Sequence, residues 1–293
     1  MLKSLKGDDH KSSMPCGEEV TMYYRKIAVV ILSVVTCFEL AGCGGNGGSG
    51  NIAPIRDKVA VQPFETLSSS QRTIELKCVA AEFGSPCESV VTSVSHSGNS
   101  YTVNFSGIYV SPNPCVAIVV PVIATVSLGN LGPGNYKLNF IVNGVWNTLG
   151  LAVSNTSIVL SGSDTSWVNY TNPVLTRVPS NTLWGWVSYG GTGMDTVVSS
   201  LLDSLKMAGA APTTLADGYY YYFAVKSGRI VSTYPFATPM ASTVYFAYSY
   251  SGPFAAVSKI ANRHLLKYPS TMFMNIYDAD GNRFPGVLET VSS

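Results

Sequence analysis

Charge is what this chain of 293 residues has least of: 12% of it is Asp, Glu, Lys or Arg, with 18 basic against 17 acidic side chains. Beyond Cys43 the balance is 13 to 12, and neither sign forms a run. A nucleic-acid partner needs a clustered basic face, so that class is excluded. Histidine is scarcer still, with three in all, of which His96 and His264 lie beyond Cys43. No G-x-S-x-G elbow, H-E-x-x-H helix, phosphate loop or dinucleotide fingerprint occurs either. No catalytic residue, metal ligand or cofactor is therefore assigned, and the chain is not read as an enzyme. After Cys43 no apolar run approaches the ~20 residues that cross a bilayer as a helix. What stands in place of charge is Gly (27), Tyr (17), Ser, Thr and Asn, a composition suited to β-rich exported proteins.

Cysteines number six, and three lie beyond Cys43: Cys78, Cys87 and Cys115. An exported chain permits disulfides. Cys78–Cys87 would close a short loop through Gly84, Ser85 and Pro86, leaving Cys115 as a small core residue. His96 is the one His near them, too little for a zinc site.

The N-terminus carries an address. Arg25 and Lys26 precede an apolar run from Ile27 to Phe38, and Leu40-Ala41-Gly42-Cys43 follows. A charged segment, about a dozen apolar residues and a small-residue site make a signal peptide rather than a membrane span. The tetrapeptide resembles the lipobox of bacterial lipoproteins. That resemblance implies cleavage before Cys43, acylation of Cys43, and attachment to a membrane through the lipid anchor. Gly44 stands where an Asp would favour retention in the inner membrane, so the resemblance points to the outer membrane of a Gram-negative host. Residues 1–42 are thus a leader. Its mixed-charge part before Met22 reads as an extension or as sequence upstream of the true start.

Residues 43–57 read as the lipidated Cys and a flexible Gly-rich linker. Residues 58–155 read as short strands separated by turn signals, an all-β sandwich. Thr73–Val79 and Tyr101–Phe105 alternate as strands. Val116–Val126 is β-branched, with Pro121 marking an edge. Asn143-Gly144 is a two-residue hairpin signal between Tyr136–Val142 and Val145–Val153. The run Leu131-Gly132-Pro133-Gly134-Asn135-Tyr136 resembles the L-x-P-G-x-Y corner of immunoglobulin-like and fibronectin-like modules. The resemblance implies that the Tyr136 hydroxyl bonds backward to the turn, with Leu138 and Phe140 facing inward.

From 165 to 293 strands alternate with helical patterns, the mark of an α+β domain. Leu183–Tyr189 is strand-like, and Val197, Val198, Leu201, Leu202 and Leu205 then recur at helical spacing up to Gly209, a C-terminal cap. Asp195 fits the helix start by charge and as a capping oxygen. Sixty-one residues on, Val244–Tyr250 and then Val257, Ile260, Ala261, His264 and Leu265 repeat the design, with Ser188, Tyr189 and Gly191 matching Ser249, Tyr250 and Gly252. Tyr219–Val225 and Met272–Tyr277 are expected as the closing strands of a duplicated β-α-β unit. Val244–Pro269 resembles the second half of the gyrase-inhibitor-like and SOUL haem-binding fold, which implies a curved sheet with a groove for small, often cationic or planar molecules. A Glu common at the groove centre of that family has no counterpart in Phe273–Tyr277.

The fold class expected is therefore multidomain: an immunoglobulin-like sandwich followed by an α+β domain. Trp184, Trp186, Tyr221, Tyr245 and Tyr248 are the candidates for an aromatic ligand-binding floor; the competing reading is cross-strand packing in a structural or protein-interaction module. His264 reads as a packing residue on its helix. Asp278–Asn282 with Glu289 imitates a calcium loop, but Arg283 stands where that loop needs Gly, and a solvated turn is the reading.

Overall fold

The computed structural model describes residues 51–112, 118–163, 165–231 and 242–285. The leader, Cys43, Cys115 and Glu289 lie outside the described residues. Among the described residues strands dominate, with two helices, and these residues form one compact unit.

The first eleven strands are β1 (Asn51–Ala53), β2 (Val59–Thr66), β3 (Thr73–Gly84), β4 (Ser89–Ser97), β5 (Ser100–Val110), β6 (Val120–Gly129), β7 (Gly134–Val142), β8 (Val145–Val153), β9 (Ser157–Ser161), β10 (Val168–Tyr170) and β11 (Val174–Thr176). One sheet runs β1-β5-β7-β8-β9-β11, with β4 also on β5, and the other runs β10-β2-β3-β6. Alternate side chains of both sheets, among them Val61, Leu76, Val103, Phe140, Leu149 and Ile158, meet in one core. Period-2 alternation is what sends one face of each strand there. Asn143 and Gly144, both at positive φ, join β7 to β8 with Val142 opposite Val145, as a primed two-residue turn requires. Tyr136 Oη donates to Gly132 O at 2.9 Å, the backward bond expected of it, and Leu138 and Phe140 are fully buried. Pro121 sits in β6, an edge strand, where proline within sheets is confined.

Three expectations need correction here. The linker does not extend to residue 57: Asn51–Ala53 pair with β5 and Ile55 is buried. The two-sheet region does not end at 155, because β9 and β11 extend one sheet and β10 lies parallel to β2 in the other. Nor do Cys78 and Cys87 pair. Cys78 is a free thiol in the core, while Cys87 is disulfide-bonded to a cysteine outside the described residues. Cys78 lies on an inward position of β3, which fixes it in the core and away from the turn that holds Cys87.

The helix-bearing region comprises β12 (Thr182–Tyr189), α1 (Met194–Met207), β13 (Ala211–Pro212), β14 (Gly218–Tyr219), β15 (Ala224–Lys226), β16 (Arg229–Val231), β17 (Ser242–Ser249), α2 (Phe254–Lys267), β18 (Met272–Asp278) and β19 (Arg283–Phe284). Its main sheet is β13-β17-β12-β18-β19. The strand after each helix lies beside the other half's first strand: β13 on β17, and β18 on β12. Both helices cover one face, where Val198, Leu201, Leu205, Val257 and Ala261 meet Leu183, Val187, Phe246, Tyr248 and Met274. α1 closes with Gly209 N–H to Lys206 O and Ala210 N–H to Leu205 O, the paired bonds of a Schellman end.

Asp195 is not a cap. Gly193 occupies the N-cap without a side-chain bond, and Asp195 instead accepts from Tyr189 Oη at 2.6 Å. In the second half Tyr250 Oη donates to Pro253 O at 3.1 Å, at the start of α2. Tyr189 and Tyr250 are the pair matched by the 61-residue offset. Each holds, from the end of its strand, the start of the helix that follows.

The expected strand Tyr219–Val225 does not form. Tyr221 takes φ +68°, Tyr220 N–H bonds to Phe223 O and Tyr222 N–H to Tyr220 O, so the chain turns between β14 and β15. The strand that closes the first half is the two-residue β13 instead. Aromatic β propensity yields here to contacts made with the two-sheet region.

Candidate functional site

β12 is buried at every position except Trp186, and its two faces have different neighbours. Leu183, Val187 and Tyr189 face the helices, whereas Trp184 packs in a third cluster with Leu67, Val178, Leu215, Tyr220 and Phe223. On that outer face register sets two rows. Ala247, Trp184 and Tyr277 form one, and Tyr245, Trp186 and Asn275 the next. The centre of the first row is closed. Trp184 is 3% exposed, stacked on Tyr277 at 5.8 Å between ring centroids and flanked by Tyr222 and Phe223. The second row is half-buried along its length.

Of the five aromatics proposed as a ligand floor, Trp184, Trp186 and Tyr245 therefore share a face. Tyr248 does not: it lies under the helices, stacked on Phe246. Tyr221 leaves the sheet altogether and stacks on Phe64 of β2 at 4.6 Å. The turn that carries it is a latch. Gln62 Nε2 donates to Tyr219 Oη, and Tyr222 Oη donates to Glu65 O at 2.9 Å. Burial pushes the Tyr222 phenol up to about 12, since ionising it would place a charge in an apolar seam.

Beneath the latch sits a cluster that local pattern did not reveal. The Glu65 carboxylate, 4% exposed, accepts from Arg177 Nε at 2.9 Å and Nη2 at 2.5 Å, and Arg72 Nη1 lies 3.4 Å from its other oxygen. Arg177 Nη1 also donates to Ser154 O, and Arg72 reaches Val178 O and Ala279 O. One carboxylate and two guanidinium groups thus tie β2, the β8–β9 turn, the lead-in to β12 and the turn after β18 together. That turn approaches so closely that a Cβ on Gly281, at φ +80°, would run into Leu67 O. The single signal in sequence was an acidic residue breaking the inward register of β2, whose partner lies 112 positions away.

Three clefts open nearby. One of about 320 Å³ runs beside Tyr245, lined by Thr213, Leu215, Arg229 and Ile230. A second of about 360 Å³ lies at the junction and includes Thr156, Arg177, Asn181 and Tyr220. The third, of about 320 Å³, lies between the helices beside Arg263, His264 and Lys267; His264 Nδ1 lies 3.0 Å from Ile260 O. Among the described residues no carboxylate lines any of them. They offer hydroxyls, amides and positive charge. Among the described residues no group of three His, Cys, Asp or Glu could hold a metal ion. Asp278, in the loop that imitates a calcium site, accepts from Asp280 N–H, Asn282 N–H and Asn282 Nδ2, which closes the turn. No described helix is long and apolar enough to cross a membrane.

Comparison with protein families, with curated proteins and with solved structures finds no match.

Proposed function

We propose that this protein is an exported lipoprotein, acylated at Cys43, whose folded part is a rigid interaction module at the surface of the outer membrane. In this reading β1–β11 are an immunoglobulin-like sandwich, and β12–β19 with the helices are an α+β unit built from a duplicated β-α-β element of the gyrase-inhibitor-like kind. The observation that carries it is the use of the aromatics. Tyr219–Phe223 and Trp184 are consumed in joining the two regions, which favours a fixed two-part body over an open ligand groove. Mass spectrometry of the membrane fraction should find a mature N-terminus at Cys43 with acyl chains, and Cys43→Ser should leave the leader attached. A full-length, unacylated chain in the cytoplasm overturns the anchoring.

A second reading keeps one specific support: the half-buried Tyr245–Trp186–Asn275 row, with a cleft beside Tyr245. A planar or cationic small molecule stacked there would raise the melting temperature with concentration over Kd. Trp186→Ala would abolish that rise. A screen of such molecules with no rise leaves the interaction module alone.

A further inference from the structure

The two-sheet region has two unlike ends. At one, Glu65, Leu67, Arg72 and Ser154 meet the helix-bearing region. The other end is where the described chain enters. There Asn51 pairs with Val110, and β5 runs parallel to β7, whose turn carries Val145 and Trp146. In the facing sheet β3 finishes at the same end, with Phe83 opposite Pro121 of β6, and a short turn leads on to Ser89, itself opposite Tyr109. Asn143 Nδ2 to Ile55 O and the Glu82 carboxylate to Arg56 N–H tie the two sheets there.

This entry end is unusually apolar outside. Val119 is 75% exposed, Phe83 69%, Trp146 63% and Ile52 51%. Large apolar side chains exposed at one end of a fold mark a contact. The charges around them do not favour an ionic partner, since Arg56 and Lys58 stand against Asp57, Glu82 and Glu88. Sequence supplies the occupant. Cys43 precedes Asn51 by eight residues, which cannot reach beyond roughly 30 Å. The end is thereby held beside whatever surface holds Cys43, at an effective concentration on the order of millimolar. Indole rings favour the headgroup level of a bilayer.

We propose that this apolar end, with Trp146, Phe83, Val119 and Ile52, rests in the headgroup layer of the membrane that holds the anchor. The inference rests on acylation of Cys43. It orients the molecule: the strands stand off the bilayer and the helix-bearing region points away from it.

The test uses the full acylated protein in phosphatidylcholine vesicles carrying bromine on the acyl chains near the headgroup. Tryptophan emission should be quenched in the parent protein, and the quenched fraction should disappear in Trp146→Phe. Phe83→Ser, at a surface position, should reduce quenching without shifting the melting temperature. Quenching should be the same at low and high salt. A protein without lipid on Cys43 overturns the anchoring and this inference together. An acylated protein quenched equally with and without Trp146 overturns the inference alone, and a dimer found in that case assigns the end to a second copy of the chain.

Discussion

Strands β1–β11 bury one continuous core, while the helix-bearing region divides its apolar side chains between a cluster under the helices and another against the first region. The difference is one of dependence. The two-sheet region covers both inner faces with its own strands. The five-stranded sheet covers one face with α1 and α2, and part of its other face is closed by Leu67, by the tyrosine latch and by the ions beneath it. A sheet needs both apolar faces buried, so the second region should hold its native form less well whenever the junction is weakened.

The largest effect expected is at Glu65. Glu65→Ala strands two guanidinium groups in a buried setting, and breaking such a cluster costs about 3–5 kcal/mol. Denaturant titration should show that loss. Hydrogen exchange should place it mainly in β12, β17 and β18, with β2–β8 protected longer. A loss below about 1 kcal/mol, or one spread evenly over both regions, would erase the contrast.

Alkali should act on the same seam. The folded Tyr222 phenol is raised to about 12 from an ordinary value of 10.0, so between those pH values the unfolded chain ionises first. Stability is then full below pH ~10 and falls as pH rises toward ~12, by up to about 3 kcal/mol from this group. Tyr277, Tyr220 and Tyr248 of the helix-bearing region are also raised, chiefly by burial. Tyr222→Phe should cost about 1 kcal/mol at pH 8 through its lost bond to Glu65 O, yet narrow the gap between pH 8 and pH 11. An unchanged gap in urea midpoints would remove Tyr222 from the account.

Cysteine separates the regions less steeply. Burial raises the Cys78 thiol to about 12, so iodoacetamide should modify it only on unfolding. Cys78→Ser places a hydroxyl in an apolar site and should cost about 2 kcal/mol. With Cys43 acylated and the leader removed, arithmetic leaves Cys115 for Cys87, and peptide mapping under non-reducing conditions should find that pair. Recovery of a Cys78–Cys87 peptide would reverse the assignment.

What could be read from sequence was local. Asn143-Gly144, the L-x-P-G-x-Y corner and the 3.6-residue spacing of Val198, Leu201 and Leu205 each act within a few positions, and each appears where expected. What could not be read depended on partners far along the chain. Tyr219–Phe223 has the composition of a strand, and Phe64, Gln62 and Glu65 turn it into a loop. Val168–Tyr170 and Val174–Thr176 fall within 165–293, read as the second domain, and instead return to the first two sheets. Glu65 and Arg177 lie 112 residues apart. Of the aromatic floor, Trp184, Trp186 and Tyr245 share a face, while Tyr221 is drawn away by Phe64, far along the chain. Tyr248 differs from Tyr245 by an odd number of residues, which in a strand puts it on the other face.

The smallest effect tests the doubling inside the helix-bearing region. Tyr189 donates to the Asp195 carboxylate, and that bond is the main cause of its raised phenol; Tyr250 donates to a backbone carbonyl, and burial raises its phenol. Both rings are more than nine-tenths buried at matching strand ends. Removing either hydroxyl leaves the packing in place, so Tyr189→Phe and Tyr250→Phe should each cost about 1 kcal/mol. The first should cost slightly more, because a charged acceptor strengthens its bond. Added in one protein, the two losses should sum, since they brace different helices. Amide exchange should quicken at the start of α1 in one variant and at the start of α2 in the other. If Tyr250→Phe instead loosened α1, or neither change reached a helix, the tyrosines would be ordinary core residues and the repeat would be one of pattern without shared mechanics.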